Sequence, residues 1–492
     1  MQLQEARAFA GGLGDWAAGS GPAYRRLAGA IRGRAEAGAL PVGAKLPAER
    51  SLAGALGVSR TTVVAAYELL RQEGWLESRR GSGSRVSRSA PRGATASAER
   101  PEHGGLERST ILRSLVEASG SKIEFMGLHL PAAAPYVAEA LAHLKEDVTP
   151  LTAHHGYWPL GLPALRKAIA SHLTRSGLPS RLEEILVTHG AQEAIALASA
   201  LFLGPGRTVI LEEPTYVGAI DVFAAAGARL VSVPVGELGI RLDLLREAVA
   251  HQAPSLIYLM PTFQNPTGVV TPESHRREIA RMATERGIPI LEDDALANLD
   301  LGQRPPPPIC SFAPSGPILS AGSLSKLMWG GLRAGWIRAP EPLIARLARR
   351  KALGDLGNSV ISQSLAARLL PRAEEIRGSR RRQISERLAA MEEEITRLLP
   401  DWSWRRPGGG LSLWVRLPRG DAGEFARVAL RHGVSVLPGA TCSPSNGCSE
   451  FLRIPFVLEP DRIREGVRLL ARAWGAYAPA PPRERAALEV LV

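Results

Sequence analysis

Lysine and arginine together number 60 among the 492 residues, and six are lysine: Lys45, Lys122, Lys145, Lys167, Lys326 and Lys351. Arginine serves almost everywhere that a generic positive charge suffices. A retained lysine can therefore mark chemistry closed to a guanidinium, because an ammonium can lose its proton and attack a carbonyl. Lys326 stands in LSAGSLSKLMWGGLRAGWI, after an apolar run, with Ser323 and Ser325 before it and Arg333 after it. Two hydroxyls and a guanidinium beside a lysine can cradle a phosphate next to a Schiff base. A surface lysine in a glycine-rich loop would have the same local text.

Four other stretches carry matching chemistry. In EILVTHGAQEAIALASAL a strand pattern turns through glycine into a helix pattern, with Gly190, Ala191 and Gln192 at the helix start. Free amides and the positive end of the helix dipole make such a start a seat for phosphate, although an ordinary strand-to-helix turn reads alike. SLIYLMPTFQNPTG ends an apolar run with Asn265, which could bond a phenolic oxygen or simply serve the turn. GIPILEDD puts Asp293 at the carboxyl end of an apolar strand, where open α/β sheets place ligands. A carboxylate there could keep a pyridine nitrogen protonated and strengthen the ring as an electron sink; it could equally cap a helix. EEPTY leaves Tyr216 in the loop after a strand, to stack on a planar ligand or to pack in the core.

Side chains at strand ends need a sheet to hold them. From about residue 106 to residue 478, short apolar runs such as RTVILEE, SLIYLMP and IPILEDD alternate with longer helical stretches, the pattern of βαβ units around a mostly parallel sheet. We expect a large α/β lobe over about 120–340. From about Glu341, Arg-rich helices and the strand-like GGGLSLWVRLP indicate a smaller α+β lobe reaching 478, with APAPPRERAALEVLV as a peripheral tail. There is no internal repeat.

The first hundred residues read differently. Residues 1–92 contain fourteen Lys/Arg against seven Asp/Glu, while the whole chain carries +12. That local excess suits an anionic partner, although a general preference for arginine contributes to it. In LPAERSLAGALGVSRTTVVAAYELLRQEGWLESRRGSGSRV, Glu49–Leu56 reads as a short helix and Gly57 as a turn. Ser59 is an N-cap type, and Val63, Tyr67 and Leu70 repeat at helical spacing. The second helix would present Ser59, Arg60, Thr61 and Thr62 at its start, residues able to reach phosphates and base edges in a major groove. WLESRRGSGSRV reads as a basic hairpin whose tip can follow a minor groove. Residues 88–105, rich in Ser, Ala, Pro, Gly and Arg without apolar period, read as a linker.

The stretch from Tyr24 to Val86, with LPAER, GVSRTTV and the RRGSGS wing, resembles the winged helix-turn-helix of GntR-family regulators. That resemblance implies a DNA-binding domain over 20–87, with Arg50, Ser59, Arg60, Thr61, Thr62, Arg80 and Gly81 touching double-stranded operator DNA. From Gly156 to Phe456, the pieces GLPALR, GAQEA, EEPTY, QNPTG, EDD, SLSK with GLR, PGGG and LRIPF resemble fold type I, class I aminotransferases. This second resemblance implies pyridoxal 5′-phosphate joined to Lys326, with Asp293 on the pyridine nitrogen and Asn265 on the ring oxygen. It further implies Tyr216 stacked on the ring, Gly190, Ala191, Gln192, Ser323, Ser325 and Arg333 around the phosphate, and Arg453 clamping a ligand carboxylate; a sheet-edge salt bridge is the plainer role for that arginine.

A GntR-like head on an aminotransferase-like body is similar to the MocR subfamily of regulators, which implies a homodimer that senses an amino acid, another amine or the cofactor itself. Two positions depart from the aminotransferase pattern. Leu296 stands where those enzymes carry a tyrosine, and Gly156, followed by Tyr157, where relatives tend to carry another. Both favour sensing over turnover, with a working aminotransferase bearing an accessory head as the alternative. The three cysteines, Cys310, Cys442 and Cys448, have no metal-ligand spacing, so no metal is expected. With neither a signal peptide nor a spanning segment in the text, a cytoplasmic protein is expected.

Overall fold

The computed structural model describes residues 22–36, 44–72, 75–79, 83–86 and 122–477, together with 6, 9–13, 16 and 40. The expected linker at 88–105, Arg80 and Gly81 at the wing tip, and the tail beyond 477 lie outside them. The chain divides into two compact units, Met1–Arg100 and Pro101–Val492.

In the first unit, helices α1 (Ala23–Glu36), α2 (Glu49–Leu56) and α3 (Arg60–Gln72) precede an antiparallel hairpin of β1 (Leu76–Arg79) and β2 (Gly83–Val86). Leu27, Ile31, Leu52, Val63, Tyr67, Leu70 and Trp75 form one buried cluster, each large side chain contributing on the order of 1.5–3 kcal/mol of burial. Gly57 ends α2 with φ +67°, a left-handed conformation that glycine adopts at little cost. Two residues later Ser59 starts α3, its Oγ accepting the Thr62 N–H at 3.1 Å. The Tyr67 hydroxyl donates to the Pro47 carbonyl at 2.9 Å, pinning the approach to α2 against α3.

The second unit is built on an eight-stranded sheet. Its strands are β4 (Ile185–Thr188), β5 (Thr208–Glu213), β6 (Arg229–Gly236), β7 (Gly239–Ile240), β8 (Leu256–Leu259), β9 (Ile290–Asp293), β10 (Ile318–Ser323) and β11 (Gly335–Arg338), in spatial order β4-β11-β10-β9-β8-β5-β6-β7. The run from β10 through β9, β8 and β5 to β6 is parallel, whereas β11 is antiparallel to both its neighbours. Strands β4, β8, β9 and β10 are buried at every residue, as strands covered on both faces must be. That two-sided burial explains why their text shows unbroken apolar runs rather than alternation.

A second sheet orders β12 (Ser403–Trp404), β13 (Ser412–Arg416), β15 (Phe451–Pro455), β14 (Val434–Pro438) and β3 (Ile123–Phe125). Two expected lobe boundaries move. The large lobe does not begin at about 120, because β3 lies parallel to β14, with Ile123 opposite Val434. A three-residue strand whose partner lies more than three hundred positions away carries no readable period. Nor does the small lobe begin at Glu341. Helix Glu341–Gly354 packs on helix Ala191–Phe202, and helix Val360–Leu369 buries Leu365, Ala366 and Leu369 among large-lobe residues such as Ile169 and Val187.

Candidate functional site

Lys326 follows β10 directly, and its loop is fixed from several sides. The Leu324 N–H bonds the Ala334 carbonyl at 3.0 Å, and the Ala133 N–H bonds the Met328 carbonyl at 2.8 Å. Arg380, buried on the long helix Ala373–Leu398, donates to the carbonyls of Leu327, Met328 and Pro131. Lys326 Nζ donates to the Leu128 carbonyl at 2.6 Å. Burial, then the repulsion of Arg453 and Arg333, lowers its pKa from 10.5 to about 8, against the opposing pull of Asp293. A surface lysine would not be so placed.

Around it lies a cavity of about 350 Å³, lined by all the residues the sequence pointed to in this unit: Gly190, Ala191, Gln192, Tyr216, Asn265, Asp293, Ser323, Ser325, Arg333 and Arg453. Asp293 ends β9, fully inside. Its Oδ2 accepts the Tyr258 hydroxyl at 2.8 Å and its Oδ1 the Ala295 N–H at 3.0 Å. Burial raises its pKa, while those two donors and Lys326 favour the carboxylate. Tyr216 caps the helix Val217–Ala225, and burial pushes its phenol up to about 12. A Cβ on Gly218 would come within 2.6 Å of that phenol and 2.7 Å of Gln192 Oε1, so only glycine lets the ring lie there.

On the other side of the cavity, Gly190 caps helix α4 (Ala191–Phe202) with φ +96°. A Cβ on it would stand 3.6 Å from Ser323 Oγ and 3.7 Å from the Arg333 guanidinium. Ser323 Oγ accepts the Ser325 N–H at 3.2 Å, and Ser325 Oγ is buried without a hydrogen-bond partner among the described residues. Arg333 donates to the His189 carbonyl. A helix N-terminus, two hydroxyls and a guanidinium thus face one pocket of space, a fitting seat for a phosphate dianion.

Arg453 lies on β15, between β13 and β14, so it is interior to its sheet rather than at an edge. It donates to Asn265 Oδ1 at 3.4 Å and to the Met126 carbonyl, and its Nε has no partner among the described residues. Leu296 is buried and lines the cavity, offering an apolar surface where a hydroxyl was looked for. The sequence reading missed the wall Glu124–His129 and the hydroxyl of Tyr258. Met126 and Leu128 act through backbone carbonyls, which no residue type announces. The lone tyrosine in SLIYLMP was the one available sign of the other.

In the first unit Arg50, Ser59, Arg60 and Thr61 are exposed and Thr62 is half-buried. Ser59 Oγ lies 2.7 Å from Thr61 Oγ1 and 2.8 Å from Thr62 Oγ1, and Arg60 stands 3.6 Å from Glu49. They form a polar, solvent-facing start to α3.

Residues 134–470 match the family model of class I and II aminotransferases, and residues 23–86 that of bacterial regulatory proteins of the gntR family. The chain is 33% identical to the uncharacterized HTH-type transcriptional regulator YisV of Bacillus subtilis, over 85% of this chain and 89% of that one. It is 28% identical to the probable rhizopine catabolism regulatory protein MocR of Rhizobium meliloti, over 94% and 97%. Among solved structures, the α-aminoadipate aminotransferase of Thermus thermophilus, complexed with N-(5′-phosphopyridoxyl)-L-leucine, superposes with a TM-score of 0.70 at 32% identity, covering 76% of this chain and 97% of that one.

Proposed function

Because the chain belongs to the MocR subfamily of GntR-type transcription regulators, with a class I and II aminotransferase domain behind its helix-turn-helix unit, we propose that it binds an operator through the first unit and senses an amino acid, another amine or pyridoxal 5′-phosphate through the second. One observation carries this reading: a lysine with a depressed pKa, a buried carboxylate, a phosphate seat and a buried arginine share a single cavity.

The cavity fits pyridoxal 5′-phosphate, as the unpartnered Ser325 hydroxyl and the space in front of Gly190 indicate. When bound, this cofactor supplies an aldehyde that amines can join and a ring that withdraws electrons from the carbon they bring. Ser323, Ser325, Arg333 and the amides of Gly190, Ala191 and Gln192 would hold its phosphate. Asp293, oriented by Tyr258 and the Ala295 amide, would keep a proton on the ring nitrogen. Asn265 would reach the ring oxygen, Tyr216 would cover the ring face, and Arg453 would take a ligand carboxylate. The reading includes a homodimer of the second units, supported by the exposed apolar side chains of Tyr157, Leu353 and Leu356. No described helix is long and apolar enough to cross a membrane.

Borohydride reduction of the loaded protein followed by peptide mapping tests the reading: the label is expected on the peptide containing Lys326, and a label elsewhere would refute it. The rate of covalent loading should rise between about pH 6 and about pH 9, since only the neutral amine attacks and its pKa is about 8. A rate independent of pH would remove Lys326 as the attacking group.

Turnover as an aminotransferase is the second reading, supported by the presence of Lys326, Asp293 and Arg453 in one cavity. The apolar Leu296 counts against it, leaving Asn265 to serve the ring oxygen alone. Steady conversion of an amino acid and a keto acid at ordinary enzymatic rates would favour it.

For the DNA-binding half, Arg60→Ala should weaken binding to an operator duplex selected by the wild type by about 1–3 kcal/mol, roughly 5–150-fold, with the cofactor spectrum unchanged. Affinity should also fall with salt, at a log–log slope of about −0.9 per phosphate neutralised. Equal affinities, or a flat salt response, would reject the assignment of α3 to the groove.

A further inference from the structure

Lys351 lies on α5 (Glu341–Gly354) behind the phosphate seat, outside the cavity, with its side chain fully buried. Its Nζ donates to Glu193 Oε1 at 3.1 Å and to Asp355 Oδ2 at 2.5 Å. Glu193 is in the first turn of α4, and its Oε2 accepts the His189 N–H at 2.5 Å. His189 Nδ1 faces Glu193 Oε2 at 3.1 Å and Asp355 Oδ2 at 3.2 Å. The His189 carbonyl in turn accepts from Arg333. A continuous path thus runs from Lys351 through Glu193 and His189 to the guanidinium assigned to phosphate, and to the amide that opens α4. The ligand-type atoms of His189, Glu193 and Asp355 lie within 4.8 Å of one another, but the Lys351 ammonium already bonds both carboxylates and supplies the charge a cation would bring.

We propose that Lys351 is a positioning residue for the phosphate seat, holding the His189–Gly190 turn and Arg333 in place through Glu193 and Asp355. The proposal rests on the reading that phosphate binds at Gly190 and Arg333. The choice of residue fits. A compact ammonium with three donors can bridge two carboxylates and still be enclosed, whereas a planar guanidinium needs a fork-shaped partner. The preceding residues are Arg349 and Arg350, so lysine here departs from the chain's habit. Burying an ammonium is costly unless it is paired. The pairing supports Asp355 in return: burial alone would raise its pKa, yet the Lys351 bond, the Gly357 N–H and the nearby charges hold it below the ordinary value. Removing the ammonium leaves two carboxylates facing one imidazole. Their repulsion acts on the turn, and hence on phosphate contacts, without touching the groups assigned to the ring or the aldehyde.

The test compares pyridoxal 5′-phosphate with pyridoxal, which lacks the phosphate, on full-length apoprotein. In Lys351→Met the Kd for the phosphate form should rise about tenfold or more, the scale on which outer-shell partners act in metal sites, while that for pyridoxal stays near wild type. Glu193→Gln keeps an acceptor for the His189 N–H and loses the charge, so it should shift the same ratio less and guards against a variant that fails to fold. The groups facing His189 are Glu193 and Asp355, with Lys351 between them and Arg333 on its carbonyl. The proposal is overturned if both variants lose pyridoxal and its phosphate equally, or if neither loses anything. Wild-type protein that binds the two forms equally would instead remove the phosphate seat itself.

Discussion

Lys326→Ala should yield a protein that takes up no covalent cofactor at any pH and whose DNA affinity, once free cofactor has been removed, no longer responds to amines. Among the described residues Lys326 Nζ is the one lysine amine lining the cavity, and alanine leaves nothing there to attack the aldehyde. The phosphate seat and Asp293 are untouched by the change, so loosely held pyridoxal 5′-phosphate should still exchange into the site and be lost on gel filtration. The check is mass spectrometry after borohydride treatment, run beside DNA binding with and without L-leucine. A variant that retains the covalent mass increment, or that still answers the amino acid as wild type does, would sink the sensor assignment. Since the amine is removed outright, the expected effect is a complete loss rather than a graded one.

Arg453→Ala should separate ligands by their carboxylate. The guanidinium is fully inside, and its protein partners are neutral acceptors, the Asn265 amide oxygen and the Met126 carbonyl. Burial lowers its pKa, with Cys442 and Tyr216 opposing. A ligand carboxylate would complete its bonding by a charge-assisted pair. Truncating one side of such a pair typically costs about 2–5 kcal/mol, so L-leucine should bind the loaded variant roughly 30- to several thousand-fold more weakly. Isopentylamine, the same skeleton without a carboxylate, should bind as it does to wild type. Spectral titration of both ligands on both proteins gives the double difference. A parallel loss for the two ligands would mean that Arg453 supports the wall at Met126 rather than recognising the ligand.

Together these outcomes bear on how the cavity could reach the rest of the chain. Met126 and Leu128 follow β3 directly, and their carbonyls accept from Arg453 and Lys326. A covalent cofactor and a bound carboxylate would compete for those two donors. A ligand that changes the bonding of the 126–128 segment would have the differential contacts that a population shift requires.

Much of this protein was legible in its text because the signals were local. Ser59 at the start of α3, Gly57 at the end of α2 and the spacing of Val63, Tyr67 and Leu70 each act within a turn or two of chain, where steric and hydrogen-bonding preferences operate without help from distant residues. The alternation of apolar runs with helical stretches likewise declared a mostly parallel sheet, and ligand-type residues at strand ends declared where a site would lie, since strands of one sheet end on one side. Gly190, Asp293 and Lys326, read from separate stretches, line one cavity for that reason.

What the text withheld was decided by pairs far apart in sequence. The Leu128 carbonyl meets Lys326 across 198 residues, the Met126 carbonyl meets Arg453 across 327, and Lys351 meets Glu193 across 158. A carbonyl belongs to every residue, so its identity as a partner exists only once the chain has folded. A three-residue strand such as β3 is too short for a period and acquires its meaning from β14 beside it. Residue type and local spacing thus determined which chemistry this chain carries and at which ends of which elements. Tertiary structure alone decided which neutral acceptors and opposite charges surround that chemistry, because burial and long-range pairing, not composition, set the free energy of a charged group.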